Sequence, residues 1–126
     1  MLTSEEQQTV AAIENSCTAV LTLSEGLEQT ELLASRLTKY EIRRELLNVC
    51  DAHAGLSADA REAMEELDFA GWLSIGQRIR AGGESEANAC WLAIRALAPT
   101  TLGWIRFYRS QKPALFSRSE EGKKAV

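Results

Sequence analysis

The residue best suited to chemistry is the single histidine, His53, three positions after Cys50 and two after Asp51. An imidazole beside a thiol and a carboxylate could serve a nucleophilic or metal site, because histidine exchanges protons near neutral pH and both groups bind soft metals. The spacing argues against both roles. Residues three apart on one helix point the same way and rarely align for proton transfer. A structural zinc site needs further Cys or His ligands, and neither Cys17 nor Cys90 has a neighbour at ligand spacing. His53 also falls on the apolar stripe of its segment, so a satisfied core imidazole is the default. The three thiols read as small hydrophobes.

Other constellations are weaker. The carboxylate pairs Glu5–Glu6 and Glu65–Glu66 are adjacent in sequence and splay apart as solvated helix faces. Gly82–Gly83 lies between two helical segments, without the strand-to-helix context of a phosphate loop. No catalytic residue, metal site or cofactor site is assigned on this basis.

The C-terminal stretch TLGWIRFYRSQK is richer. Trp104 and Tyr108 are four apart and Arg106 and Arg109 three apart, so a helix there shows an aromatic stripe beside a basic one. With Arg95 and Lys112 this is a candidate surface for single-stranded nucleic acid or an acidic partner, by phosphate neutralisation and base stacking. The alternative is that Trp104, Ile105 and Tyr108 close a core and the arginines rim it. Charge is divided along the chain in the same sense. Residues 1–94 carry seven Lys/Arg against sixteen Asp/Glu, a net −9, whereas residues 95–126 carry seven against two, a net +5.

The elements that would position these residues are helical almost throughout. Thr3 with Glu6 reads as a capping box opening a first helix, with Val10, Ile13, Cys17 and Val20 on one face and Gly26 at its end. A short segment spans Glu31 to Leu37, and Thr38 with Glu41 reads as a second capping box. The helix after it carries Ile42, Leu46, Val49, Cys50 and His53, and Gly55 is placed for a left-handed cap. Ser57 opens a shorter helix to about Glu66, and Asp68 caps a segment with Trp72, Ile75 and Ile79 that ends at Gly82–Gly83. A helix from about Ser85 to Ala98 precedes Pro99, which suits the first turn of a last helix stopped by Pro113. Leu21, Leu23 and Leu27 cannot share a face with Val10, Ile13 and Cys17, which leaves apolar surface for a partner.

No segment alternates with period two for long. The expectation is therefore an all-α, single-domain bundle of five to six helices over residues 1–112, with a flexible basic tail over 113–126. At 126 residues, 45% hydrophobic and 25% charged, the chain can bury a full core without disulfides or metal. Three widely spaced cysteines, an acidic start and no long apolar run predict a reduced, cytoplasmic protein away from membranes.

The segments LTKYEIRRELL, LSADAREAM and EELDFAGWLSIGQRI resemble, in order and spacing, the HepT-like branch of the HEPN superfamily. The resemblance covers Leu32 to about Arg109. Active members pair an Arg with a His a few residues later to cleave RNA across a dimer. Arg78 matches that Arg, but Gly83 stands where the His would be and no histidine follows. The resemblance thus implies a degenerate member without that nuclease chemistry: a homodimer, or a partner of a nucleotidyltransferase, toxin or CRISPR component in toxin–antitoxin or defence systems. Arg78 remains a candidate contact residue. A nucleic-acid-binding accessory subunit and a divergent ribonuclease are the competing expectations.

Overall fold

A computed structural model of the chain describes residues 1–116, and the remaining ten of the expected tail, 117–126, lie outside the described residues. The described residues form seven α-helices and no strand, the all-α class that the sequence pattern predicts, with the short α2 and α4 among the seven. These are α1 (Ser4–Ser24), α2 (Gln29–Ala34), α3 (Arg36–Ala54), α4 (Ala58–Ala63), α5 (Phe69–Ala81), α6 (Gly83–Leu92) and α7 (Ala98–Gln111).

Helix α1 is the central element and packs against both α3 and α7. Its capping box forms as expected: Thr3 Oγ1 accepts from the Glu6 amide, and Glu6 Oε1 accepts from the Thr3 amide, both at 3.0 Å. The same Glu6 carboxylate accepts a hydrogen bond from the Ser57 hydroxyl, which caps α4, so one side chain ties two helix N-termini together. The Ser57 bond is the chief reason that the Glu6 carboxyl titrates below its usual range. Helix α3 packs on α5, and α5 on α6. The α5–α6 connection needs glycine: Gly82 and Gly83 have φ of +78° and +66°, a region that a side chain would strain.

Four local expectations are corrected. Helix α3 begins at Arg36 with Ser35 as N-cap, so Thr38 lies inside its first turn, where its Oγ1 accepts from Ser35 Oγ at 3.0 Å instead of capping the helix. Gly55 ends α3 with φ −83°, right-handed, because the helix turns directly into the Leu56 connection. Pro99 lies in the first turn of α7, as expected, but that helix is not separate from the one before it. Helices α6 and α7 join through a π-helical turn, Ala93–Leu97, in which the Ala98 amide donates to the Ala93 carbonyl five residues back. A proline ring collides with the carbonyl four residues before it, and widening that one turn lets the rod continue.

The fourth correction is the domain boundary. A 3₁₀ turn, Pro113–Phe116, follows α7 and folds back, with the Leu2 amide donating to the Leu115 carbonyl at 3.1 Å and Leu115 and Phe116 packed on the core. The folded body therefore reaches Phe116. Both chain ends of that body are stitched together at one place.

The core is one continuous cluster with Trp72, Tyr108, Ile13, Leu46, Ile75 and Ile105 among its fully buried members. Trp72 Nε1 donates to Thr101 Oγ1 at 2.9 Å, which satisfies the one polar atom of the largest core side chain.

Candidate functional site

The basic C-terminal candidates do not form an open cationic face. Arg109 pairs with Glu14 of α1 at 3.0 Å and lies over the Phe116 ring, 4.6 Å from its centroid. Arg106 shares a groove with Thr18, Leu21, Thr22 and Glu25 of α1 and the loop after it. Arg95, from the π turn, lies over Trp91 in a neighbouring groove that contains Glu25 and Glu28. Lys112 lies over the Tyr108 ring and close enough to Glu66 to lower that carboxyl's pKa, although the larger cause there is the hydrogen bond that Tyr108 donates. Each of the four basic residues thus has a carboxylate in its surroundings, but among the described residues only Arg109 is ion-paired, and Arg95, Arg106 and Lys112 are exposed. Arg78 stands apart on α5, half exposed, with no ion pair among the described residues.

The aromatic stripe of that helix is divided by burial. Tyr108 and Ile105 are fully buried, with Tyr108 OH donating to Glu66, whereas Trp104 is half-buried and Phe107 is exposed. The leftover apolar surface expected on α1 is largely absorbed too. Leu21 and Leu27 pack against the core, leaving Leu23 outside.

Two other features emerge. The first is the start of α3, where Leu37 and Tyr40, one turn apart, are 82% and 62% exposed, while Leu33 of α2 lies with Lys39, Gly83 and Ala87 on the α6 side. Glu41 and Arg44 lie next to them and pair at 2.8 Å. Arg36, Lys39 and Arg43 follow on the adjoining flank, where Arg43 meets Glu86 of α6 at 3.5 Å. The sequence carried a signal for this face: Leu37 and Tyr40 sit three apart, outside the stripe of Ile42, Leu46 and Val49.

The second is a groove of about 340 Å³ between the C-terminal half of α3 and the first turns of α5, lined by Cys50, His53, Ala54, Phe69, Ala70 and Leu73, with Arg61 of α4 at its edge. His53 is held on three sides. Its ring stacks on Trp72 with centroids 5.6 Å apart, and meets Phe69 edge-on at 5.2 Å. Its Nδ1 lies 2.9 Å from the Val49 carbonyl, which can only accept, so Nδ1 carries the proton and Nε2 the lone pair. Nε2 is buried and has no hydrogen-bond partner. Burial, the largest influence, holds the imidazole pKa below its usual value and keeps the ring neutral.

The Cys50–His53 pair does not make a nucleophilic site. The Cys50 thiol donates to the Trp72 carbonyl at 3.2 Å, and burial pushes its pKa up to about 11. Each group is bonded to a separate backbone carbonyl, not to the other. Cys17 and Cys90 are likewise buried, with thiols raised to about 12 and about 11 chiefly by desolvation. Among the described residues, no group of three His, Cys, Asp or Glu side chains could hold a metal ion, and no helix is long and apolar enough to cross a membrane.

Arg61 was not marked by any sequence signal. Its Nη2 donates to the carbonyls of His53 and Ala54, at 3.2 and 3.1 Å, and its guanidinium lies 5.2 Å from the Phe69 centroid. Only the return of α4 beneath the end of α3 brings it there.

No protein-family model matches the chain, and no curated protein or solved structure matches it.

Proposed function

We propose that this protein is a non-catalytic helical interaction module that works as a homodimer, with the outer face of α3 as its contact surface. The observation that carries the reading is the exposure of Leu37 and Tyr40, one turn apart on the outer face of α3. Single exposed apolar residues are ordinary on a soluble protein, but Leu37 and Tyr40 are two large ones at i and i+3 on one helix face, which leaves a patch in water. Glu41 and Arg44 beside the patch place both signs of charge on the same face. A two-fold axis brings a surface against its own copy, so a patch carrying both signs can pair with itself where a single-sign patch would repel. The HepT-like resemblance points the same way, toward a dimer that acts as a partner or regulatory subunit in a bacterial or phage toxin–antitoxin, nucleotidyltransferase or defence system.

Nucleic-acid binding through Arg95, Arg106, Arg109 and Lys112 is the less favoured reading, because acidic groups of this chain, Glu14 among them, already face that surface.

Sedimentation equilibrium tests the proposal. The parent protein is expected to be dimeric at micromolar concentration and the Leu37→Glu/Tyr40→Glu variant monomeric, with the same helical circular dichroism. A parent that stays monomeric, or a variant that stays dimeric, overturns it.

A further inference from the structure

The α3–α5 groove has features that packing alone does not explain. A buried acceptor without a donor costs roughly 1–3 kcal/mol, and cores seldom tolerate one without a reason. Here the orphan is His53 Nε2, in the ring that lines the groove. The surrounding chemistry is asymmetric. Phe69, Ala70 and Leu73 give an apolar wall, with Leu73 60% exposed at the mouth. Arg61 gives the one full charge of the lining, and only its Nη2 is engaged by the α3 carbonyls. A guanidinium has five N–H donors, so those on Nε and Nη1 remain for an anion.

We propose that this groove is a binding site for a small aromatic carboxylic acid that also carries a hydroxyl or N–H donor. The ligand carboxylate pairs with Arg61, its ring lies against Phe69 and Leu73, and its donor bonds His53 Nε2, which is closed to solvent in this structure and is uncovered by a small shift of the lining as the ligand enters. The volume, about 340 Å³, is at the small end of the range of about 300–1,000 Å³ for small-molecule sites, which limits the ligand to about one ring with short substituents. The neutral imidazole is the protonation state that this role requires, since an imidazolium has no lone pair to offer. The site does not depend on the dimer proposed above, because Leu37 and Tyr40 are not part of its lining.

The only histidine of the chain is its own reporter. Long-range ¹H–¹⁵N spectra of the full protein are titrated with 4-hydroxyphenylacetate and, separately, with phenylacetate, which lacks the donor. The expected result is a saturable shift of the His53 Nε2 signal with the hydroxylated acid and binding weaker by about tenfold for phenylacetate. Arg61→Gln removes the charge, and Leu73→Glu places a carboxylate at the exposed mouth; each is expected to weaken 4-hydroxyphenylacetate by about tenfold or more. Arg61 also caps α3, so Leu73→Glu, at an exposed position, keeps the test open should Arg61→Gln fold poorly. No saturable shift at millimolar probe overturns the proposal, as do equal affinity for the two acids or binding indifferent to Leu73→Glu.

Discussion

Trp72 and Thr101 are joined by a hydrogen bond of 2.9 Å between indole Nε1 and hydroxyl Oγ1, both residues buried, across the interior between α5 and α7. Thr101→Val keeps the shape and removes the acceptor, leaving the indole N–H buried and unpaired. The expected loss is about 1–3 kcal/mol of unfolding free energy, read by urea denaturation. Thr101→Ser retains the hydroxyl and is expected to recover most of that loss.

Gly76 of α5 sits against Cys50 of α3. A Cβ at this position would lie 3.2 Å from Cys50 Sγ and 3.3 Å from Cys50 Cβ. Alanine in a helix interior gains about 0.5–1 kcal/mol over glycine, whereas overpacking costs about 1–3 kcal/mol. Cys50 cannot easily yield, because its thiol is bonded to the Trp72 carbonyl. Gly76→Ala is therefore expected to destabilise the parent and to cost less in a Cys50→Ala background, which removes the Sγ contact while keeping the one at Cβ; a double-mutant cycle in denaturant would read the difference.

His53 should make stability fall on mild acidification. Its folded pKa is held below the ordinary 6.5, so below that pH the unfolded chain takes up a proton that the native chain refuses. Stability is full above pH 6.5 and drops as pH falls from there toward the folded pKa. Thermal melts between pH 7.5 and 5 are expected to show that decline, and His53→Phe, which keeps an aromatic ring in the stack, to flatten it. Glu6 and Glu66, whose pKa values are lowered from 4.5, act only in a more acidic window.

The thiols should be inert in the native state. All three are buried and raised by desolvation to about 11 or about 12, so little thiolate exists at pH 8. A chromogenic disulfide reagent is expected to react with none of the three on a timescale of minutes, and with all three in guanidinium. A fast equivalent without denaturant would contradict the packing around Cys17, Cys50 and Cys90.

The Arg109–Glu14 pair is partly exposed, so its worth is limited by solvent. Arg109→Ala is expected to cost no more than about 1 kcal/mol, with part of that effect lost at high salt. A loss well above that range would show that the seam between α1 and α7 depends on this cation.

The amino-acid order by itself determined the helices and most of their ends, because those depend on residues within four positions of each other. Thr3 with Glu6, Ser57 and Asp68 cap where their side chains reach the next turn, and the stripe from Ile42 to His53 faces inward because the helical period puts it there. Where the local signals were ambiguous, tertiary contacts decided. Pro99 marks the first turn of the last helix in sequence, but only the structure shows that α6 runs into that helix through a π turn. Pro113 could release a tail, yet the Leu2–Leu115 bond holds the next turn against the body. In sequence the basic end reads either as a binding surface or as the rim of the core, and Glu14, the partner of Arg109, lies 95 positions before it, so only folding brings the two together. The same holds for the His53 groove. His53 and Cys50 were visible as a pair, but their separate carbonyl partners, the aromatic stack and the Arg61 guanidinium come from elements whose meeting no short-range pattern encodes.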